Sequence, residues 1–323
     1  MGAFKHVGVV SWCIAIAVCI GLSLWSGIDA IGDAIASAGW GLPFVVLTRA
    51  VTVAISGVGW WLLYPTPQRV RARVAVLIRF VREAVNALMP LTQVGGDVIG
   101  ARLLTFWAIP GPLAAAGVVV DVLIQAVTLI LFAACGLVML VALGADMTVA
   151  KTALASLAVA AAVVGGLYLA QRGSARRIVH VVLGRLGDGN WRALGTVDAV
   201  YRSFAVIYAR WPNLLASSAL HMAGWLIGVA EVLIGLSYMG HPVSLGEALV
   251  IESLIHVVRG AAFAIPSALG AQEAGLIVLC GMFGIPPDEA FALSLMKRAA
   301  DVVIGLPGLV SLQVLEGRRL RAT

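Results

Sequence analysis

The chain alternates between long apolar runs and short polar segments. Runs of about 20 apolar residues predict membrane-spanning helices, because that length crosses the apolar core of a bilayer. Such runs cover residues 7–27, 40–64, 114–143, 153–171 and 214–239. Two further stretches, 245–285 and 290–315, are apolar but are predicted to be broken. Because the runs are continuous and do not alternate in polarity, the pattern predicts helices and not membrane strands.

Composition supports a membrane protein over a water-soluble one. Hydrophobic residues make up 61% of the chain and charged residues 12%, and the mean hydropathy is +1.01. These values exclude an ordinary soluble globule. We therefore predict an all-α polytopic membrane protein in which residues 1–323 form a single integral membrane domain of about six to eight membrane helices.

The positions of the basic residues predict the orientation of the chain. Of 22 Lys and Arg residues, Lys151 alone falls in a segment predicted to lie outside. Cytoplasmic loops carry an excess of basic residues, so both termini are predicted to be cytoplasmic, in a bacterial inner membrane. The net charge of +6 is scattered through short loops. We therefore interpret these basic residues as signals that set the membrane topology, and we predict no nucleic-acid partner.

A basic connector, residues 172–210, is the longest polar stretch. Its apolar positions suit an amphipathic helix on the anionic cytoplasmic leaflet. Two interpretations remain open: a connector that only sets topology, or a lipid-sensing or regulatory site.

Two hydrophobic segments rich in polar residues, 74–110 and 245–286, resemble each other. An offset of 176 residues aligns Pro90 with Pro266 and Asp97 with Glu273. This alignment predicts an internal repeat, with residues 1–145 as the first repeat and 146–323 as an inverted second repeat. Each repeat is expected to contain one re-entrant, broken segment. The alternative is two ordinary spans in place of each re-entrant segment.

Charged residues in or beside the apolar segments are the candidate site residues. Seven bases balance seven acids, which favours paired charges around a hydrated cavity over a pore ringed by one sign. They are Arg49, Arg79, Arg82, Arg102, Arg259, Lys297 and Arg298, and Glu83, Asp97, Asp121, Glu231, Glu252, Glu273 and Asp301. Such pairs can bind a polar cargo, or they can simply hold helices together.

Helical spacing predicts particular contacts among these charges. Arg79 with Glu83 and Lys297 with Asp301 are each four residues apart, which places each pair on one helix face. The residues Glu252, His256 and Arg259 form one polar stripe that runs into a predicted helix break.

Other side chains are predicted to play smaller parts. His221 and Glu231 are expected in a second tier around the cavity. Trp60, Trp61 and Tyr64 are expected in an interfacial aromatic belt. The sequence contains no P-loop or dinucleotide motif and no metal-ligand cluster, so we predict no cofactor and no metal.

Two motif-bearing segments resemble a known family. Residues 82–97 and 265–275 are similar to the lysylphosphatidylglycerol synthase transmembrane-region family, which resembles a lipid flippase module. Residues 248–263 and 292–298 are most similar to membrane proteins associated with bacterial hopanoid synthesis. The wider family includes synthases with an additional soluble aminoacyl-transfer domain after the membrane region. The resemblance therefore implies transport of a polar lipid without aminoacylation by this chain.

Matched family positions and the polar stripe together give the candidate substrate-binding set. Its members are Arg82, Asn86, Gln93, Asp97, Glu252, His256, Arg259, Gln272, Glu273 and Arg298. The predicted helix breaks are Pro90, Gly95, Gly96, Pro266 and Gly270. Arg259 and Arg298 are expected to contact an oxygen-bearing headgroup. The acids are expected to hold these bases or to exchange a proton.

The leading hypothesis is a non-enzymatic translocase that moves a hopanoid or a related polar lipid. Its expected partners are membrane lipids and lipid-synthesis or transport proteins. One alternative is an integral-membrane enzyme that modifies a lipid, with the acids as general acid or base. Another is a scaffold that recruits lipid-synthesis enzymes through residues 172–210.

Overall fold

A computed structural model describes Ala36 and residues 39–66, 69–89, 95–144, 147–174, 197–262 and 265–320. These residues form ten α-helices and no strand. The helices are α1 (Gly41–Leu62), α2 (Ala72–Leu88), α3 (Gly95–Leu104), α4 (Gly111–Ala142), α5 (Met147–Leu169), α6 (Val197–Tyr208), α7 (Trp211–Tyr238), α8 (Leu245–Ala261), α9 (Ala271–Gly281) and α10 (Pro287–Leu320). Thr105–Trp107 and Pro266–Ala268 are short 3-10 turns, and Ala170–Ser174 is a π-helical turn. The predicted all-α fold is confirmed.

Five of the described helices are long and apolar enough to cross a membrane. Four of them lie on the predicted runs at 40–64, 114–143, 153–171 and 214–239, and the fifth is α10. The run predicted at 7–27 lies outside the described residues. The fold is that of a multi-pass membrane protein.

The prediction of a break within 290–315 is wrong, because α10 is one continuous helix of 34 residues. Pro307 lies inside it. A proline removes one backbone donor, and membrane helices tolerate this where nearby groups satisfy the freed carbonyls. The carbonyl that Pro307 frees is that of Val303, one turn earlier, and the helix continues past it.

The predicted breaks in the segments 74–110 and 245–286 are present. The first lies between the end of α2 and Gly95, where α3 begins, and Met89 at the end of α2 is already extended. The second lies between α8 and α9. Both α2 and α8 contain 17 residues. Such a helix is about 25 Å long, which is shorter than the roughly 30 Å apolar core of a bilayer. Pro90 lies outside the described residues.

Helices α1 and α7 lie side by side and run in opposite directions. The start of α1 meets the end of α7, where a Cβ on Gly41 would lie 2.9 Å from the Tyr238 Cβ. At the other end, the Asn213 amide donates to the Leu62 carbonyl at 3.0 Å. The bundle therefore has a Leu62 end and a Tyr238 end.

Each broken segment is a helical hairpin that starts and finishes at the same end of the bundle. The two hairpins do so at opposite ends. The α2–α3 hairpin begins after α1, at the Leu62 end, and Arg102 near its close pairs with Glu316 of α10 at 2.8 Å. The α8–α9 hairpin begins after α7, at the Tyr238 end. Its start and its close meet there, since Glu247 and Met282 line one small cavity with Gly144.

The same packing relations occur on both sides of the bundle. Helix α2 packs on α10, and α8 packs on α4. Glycines allow close approach at both contacts. A Cβ on Gly308 of α10 would lie 2.7 Å from the Ala84 Cβ, and a Cβ on Gly136 of α4 would lie 1.8 Å from the Ser253 hydroxyl.

The predicted aromatic belt is wrong for two of its three residues. Trp60 and Tyr64 are completely buried. The Arg82 guanidinium lies 4.5 Å from the centre of the Trp60 ring, and this cation–π contact stabilises the ring in its buried position. Trp61 is half-buried and donates to the Val70 carbonyl at 2.6 Å.

Part of the basic connector packs against the protein. Within residues 172–210, the described residues include α6, whose Phe204 and Ile207 are buried in the bundle. Helix α6 contacts α4. Its apolar face is therefore at least partly covered by protein. Residues 175–196 lie outside the described part of the chain.

Candidate functional site

Three adjoining cavities lie among α1, α2, α4, α7, α8 and α10. Their volumes are about 220, 350 and 200 Å³, and Glu83 lines all three of them. The charged and imidazole side chains that line them are Arg49, Arg79, Arg82, Glu83, Asp97, His221, Glu231, Glu252, His256, Arg259, Arg298 and Asp301. The two hairpins and the long helices thus form three neighbouring cavities with charged linings.

Asp121 joins three helices behind these cavities. It lies in α4 and is fully buried. Its Oδ2 accepts from Arg79 Nη1 at 3.1 Å and from Arg82 Nη1 at 2.9 Å, both of α2. Its Oδ1 lies 3.0 Å from Nε2 of His221 in α7. Arg82 also binds Asp97 at the start of α3 through Nε at 3.0 Å. Asp121 and Arg82 therefore fix the α2–α3 hairpin to the long helices.

Lys297 of α10 is the centre of a second group of buried charges, separate from the group around Asp121. Its ammonium donates to Glu231 Oε2 of α7 at 2.6 Å, and to Glu252 Oε1 and Oε2 of α8 at 3.0 and 2.9 Å. The predicted pair of Lys297 with Asp301 is wrong, because the lysine is directed at two glutamates that are 2% and 1% exposed. A buried carboxylate without a cation is costly, so both are held by Lys297. Nε2 of His256 lies 3.0 Å from Glu252 Oε1.

A third group of charges lies between these two centres. Arg49 of α1 donates to Asp301 of α10 at 3.0 Å and to Glu83 of α2 at 3.3 Å. Arg259 Nη2 lies 3.9 Å from Asp301, and the predicted Arg79–Glu83 pair is present at 3.6 Å. Glu83 and Arg259 of this group are 27% and 20% exposed, so a polar ligand can reach them more easily than the buried groups around Asp121 and Lys297.

The break before α9 is held by Glu273 and Arg298. Glu273 Oε2 accepts from the Gly270 backbone N–H at 2.7 Å and from Arg298 Nη2 at 3.1 Å. Arg298 also donates to the Ser267 carbonyl at 3.3 Å. Ser267 and Ala268 adopt left-handed backbone angles, with φ of 52° and 49°. Such angles are costly for residues other than glycine and persist where surrounding contacts impose them.

The structure brings together most of the predicted site residues. Those that line the cavities are Arg82, Asn86, Asp97, Glu252, His256, Arg259 and Arg298. Gln272 and Glu273 lie behind them, because Gln272 donates to the Ser294 hydroxyl at 2.8 Å and Glu273 binds Arg298. The Gly96 backbone N–H donates to the Asn86 side-chain oxygen at 2.7 Å, which joins α3 to α2. Pro90 and Gln93 lie outside the described residues.

Three of the charged candidates from the sequence lie outside the predicted substrate-binding set but are central in the structure. Arg49, Asp121 and Lys297 each have two or more charged partners. Asp121 is the only charged residue in the 32 residues of α4. A lone charge within such a helix is a functional signal by itself, and it favoured including Asp121 in that set.

Matching positions in the two halves of the chain carry ion pairs in which the acid and the base are exchanged. Helices α2 and α8 begin 173 residues apart, and α4 and α10 begin 176 residues apart. At these offsets Arg79 matches Glu252 and Asp121 matches Lys297. The Arg79–Asp121 pair is 3.1 Å long and the Glu252–Lys297 pair 2.9 Å. The same helix-to-helix link therefore occurs twice, with the acid and the base exchanged.

Fold and site together define a polytopic α-helical membrane protein with charged cavities between two helical hairpins. The family model described as the lysylphosphatidylglycerol synthase TM region matches residues 12–308, so the chain belongs to that family. The resemblance predicted from the motifs is confirmed at this level, and the hopanoid-associated branch stays a prediction. No curated protein and no solved structure significantly matches the chain.

Proposed function

We propose that this protein is a lipid translocase whose preferred cargo is a hopanoid or a related polar lipid. The observation that carries the proposal is the group of three neighbouring cavities with charged linings among the long apolar helices and the two hairpins. A lipid headgroup crosses a bilayer slowly because its polar groups must leave water. Charged side chains that line such cavities give the headgroup partners on the way.

Paired charges suit a passage of this kind. Arg259 and Arg298 line the cavity of about 350 Å³ and are only partly buried, at 20% side-chain exposure each. Guanidinium groups recognise oxygen-bearing headgroups through paired N–H donors. In this proposal both arginines contact the headgroup, while Glu273 and Asp301 hold them in place between transport events.

The arrangement of the helices supports an inverted repeat around these cavities. Helices α1 and α7 are antiparallel, and the two hairpins open at opposite ends of the bundle. Secondary transporters with inverted repeats bind their substrates between the repeats near the membrane midplane. We assign α1–α4 to the first repeat, residues 1–145, and α7–α10 to the second, residues 146–323.

The proposal includes no chemical step on the lipid. Net movement would be driven by an ion gradient, a partner protein or the lipid gradient itself. We place the protein in a bacterial inner membrane with both termini in the cytoplasm, as the distribution of basic residues predicts.

Transbilayer lipid movement in proteoliposomes tests the proposal. Labelled polar lipids and a labelled hopanoid are compared for the wild type, Arg259→Ala and Glu252→Gln. The wild type is expected to move at least one lipid class faster than protein-free vesicles, and both variants are expected to lose most of this movement.

Arg102→Ala is the matched control. Arg102 is 64% exposed and pairs with Glu316 outside the cavities, so its loss should leave movement at the wild-type rate. Absence of movement of any lipid by correctly inserted wild type would contradict the proposal, as would full activity of both cavity variants.

A further inference from the structure

The charged interior has one more carboxylate than it has permanent cations. Among the described residues, the seven acids are Glu83, Asp97, Asp121, Glu231, Glu252, Glu273 and Asp301. The six bases that pair with them are Arg49, Arg79, Arg82, Arg259, Lys297 and Arg298. Buried net charge is costly in a membrane. A further positive charge is therefore favoured in this interior.

The deficit is greatest around Lys297. One ammonium group serves both Glu231 and Glu252, which are almost fully buried. Lys297 binds Oε2 of Glu231, whereas no described residue donates to Oε1 of that side chain, and Glu231 lines the cavity of about 220 Å³. The two carboxylates with one lysine leave one negative charge facing the cavity.

His256 is placed to supply the missing charge. Its Nε2 contacts Glu252 Oε1, and a carboxylate can only accept, so Nε2 carries the hydrogen and Nδ1 is the basic nitrogen. The Trp225 ring lies edge to face with the imidazole at 4.8 Å between centroids and holds its orientation. His256 also lines the cavity, at 12% side-chain exposure, so a proton from cavity water reaches it.

We propose that Glu231, Glu252, His256 and Lys297 form a binding site for one proton, and that this proton is the coupling ion of the lipid movement proposed above. The proton comes from cavity water, binds Nδ1 of His256 and returns to water on the other side of the membrane. In the loaded form, with the proton bound, the four side chains have no net charge. In the unloaded form, without the proton, they carry a net charge of one negative unit. Because an occluded net charge is costly, the cavity closes around the loaded form more readily than around the unloaded form.

Other titratable side chains face this site from the neighbouring helices and contribute to the electrostatic potential there. They are Arg49 of α1, Arg79 and Glu83 of α2, His221 of α7, Arg259 of α8 and Asp301 of α10. Arg49 and Arg259 both contact Asp301, and Arg49 and Arg79 both contact Glu83. Arg79 also pairs with Asp121, where Arg79 and Arg82 balance Asp97 and Asp121. Arg49 and Arg259 then balance Glu83 and Asp301, so the deficit stays at Lys297.

Histidine NMR of the full chain in phosphatidylcholine nanodiscs tests the proton site without requiring transport. His256→Gln identifies the signal of His256 and keeps an N–H donor toward Glu252. The wild-type signal, followed from about pH 8 down to about pH 4, should change from imidazole to imidazolium. In Glu231→Gln, which removes the excess negative charge, the imidazolium fraction at the midpoint of the wild-type transition should fall by about tenfold.

His241→Gln is the control for this measurement. His241 pairs with Glu289 at 2.8 Å, outside the three cavities, so its loss should leave the His256 signal unchanged. A His256 ring that stays neutral across the whole pH range in the wild type would overturn the proposal. An imidazolium fraction equal in the wild type and in Glu231→Gln would overturn it as well.

Lipid movement under an imposed pH difference tests the coupling. With the lipid class that the wild type moves, a difference of about two pH units should change the initial rate by about threefold or more, and a protonophore should remove the change. If the rate of lipid movement does not depend on the pH difference, or if movement requires sodium, the coupling proposal is wrong. The translocase proposal is not affected by either result. If His256 titrates as stated but no lipid moves, the proton site stands and the translocase proposal fails.

Discussion

Asp121 shows how much one residue can organise in an apolar environment. It is the only charge on α4, it is fully buried, and it contacts two arginines and a histidine. Replacing Asp121 with Asn keeps the shape but leaves Arg79 and Arg82 with one fewer negative partner. Breaking a buried pair in this way costs about 3–5 kcal/mol. Denaturation of the purified protein in detergent should therefore show a large loss of stability for Asp121→Asn.

Glu316→Gln is the matched control for that measurement. Glu316 pairs with Arg102, but the two side chains are 26% and 64% exposed. An exposed pair contributes about 0–1 kcal/mol, so this variant should unfold close to the wild type. Equal losses of stability in the two variants would show that burial does not decide the strength of the Asp121 contacts.

At the scale of helices, the α2–α3 hairpin depends on close packing at Gly96. A Cβ on Gly96 would lie 2.1 Å from the Arg82 carbonyl oxygen and 2.8 Å from the Asn86 side-chain oxygen. The backbone of α2 cannot yield locally, so Gly96→Ala should push α3 away and lengthen the Arg82–Asp97 contact. We expect a destabilisation of about 1–3 kcal/mol, measured by thermal unfolding in detergent.

Gly165→Ala separates this packing effect from the general effect of alanine in a helix. Gly165 lies in α5, and nothing lies within 4 Å of a Cβ built there. Alanine is a better helix former than glycine by up to about 1 kcal/mol, so this variant should be as stable as the wild type or more stable. A Gly96→Ala protein that unfolds like Gly165→Ala would contradict the close packing of α3 on α2.

The sequence predicts elements better than it predicts contacts between them. Hydrophobic run length located α1, α4, α5 and α7, and proline and glycine located both hairpin breaks, because these signals are local. Spacing also found the Arg79–Glu83 pair. It failed for Lys297, whose partners Glu231 and Glu252 are 66 and 45 residues away on other helices. Helical periodicity contains no information about such partners, since they depend on how the helices pack.

At the scale of the whole molecule, the hairpins should be accessible from opposite sides of the membrane. The α2–α3 hairpin lies between Arg71 and Arg102 at the Leu62 end, and the α8–α9 hairpin lies between Pro242 and Met282 at the Tyr238 end. Single cysteines at these positions, in a chain whose four native cysteines are replaced by alanine, can be labelled with a maleimide that does not cross membranes.

In that experiment Arg71→Cys and Arg102→Cys should react only from the cytoplasmic face, and Pro242→Cys and Met282→Cys only from the opposite face. The reason is that each hairpin enters and leaves the bundle at one end, while the antiparallel α1 and α7 carry the chain from one end to the other. Val159→Cys, on a well-exposed side of α5, is the control and should stay unlabelled from either face if that side contacts lipid. Labelling of Pro242→Cys and Arg71→Cys from the same face would eliminate the inverted repeat. The translocase proposal would then need another route for the headgroup.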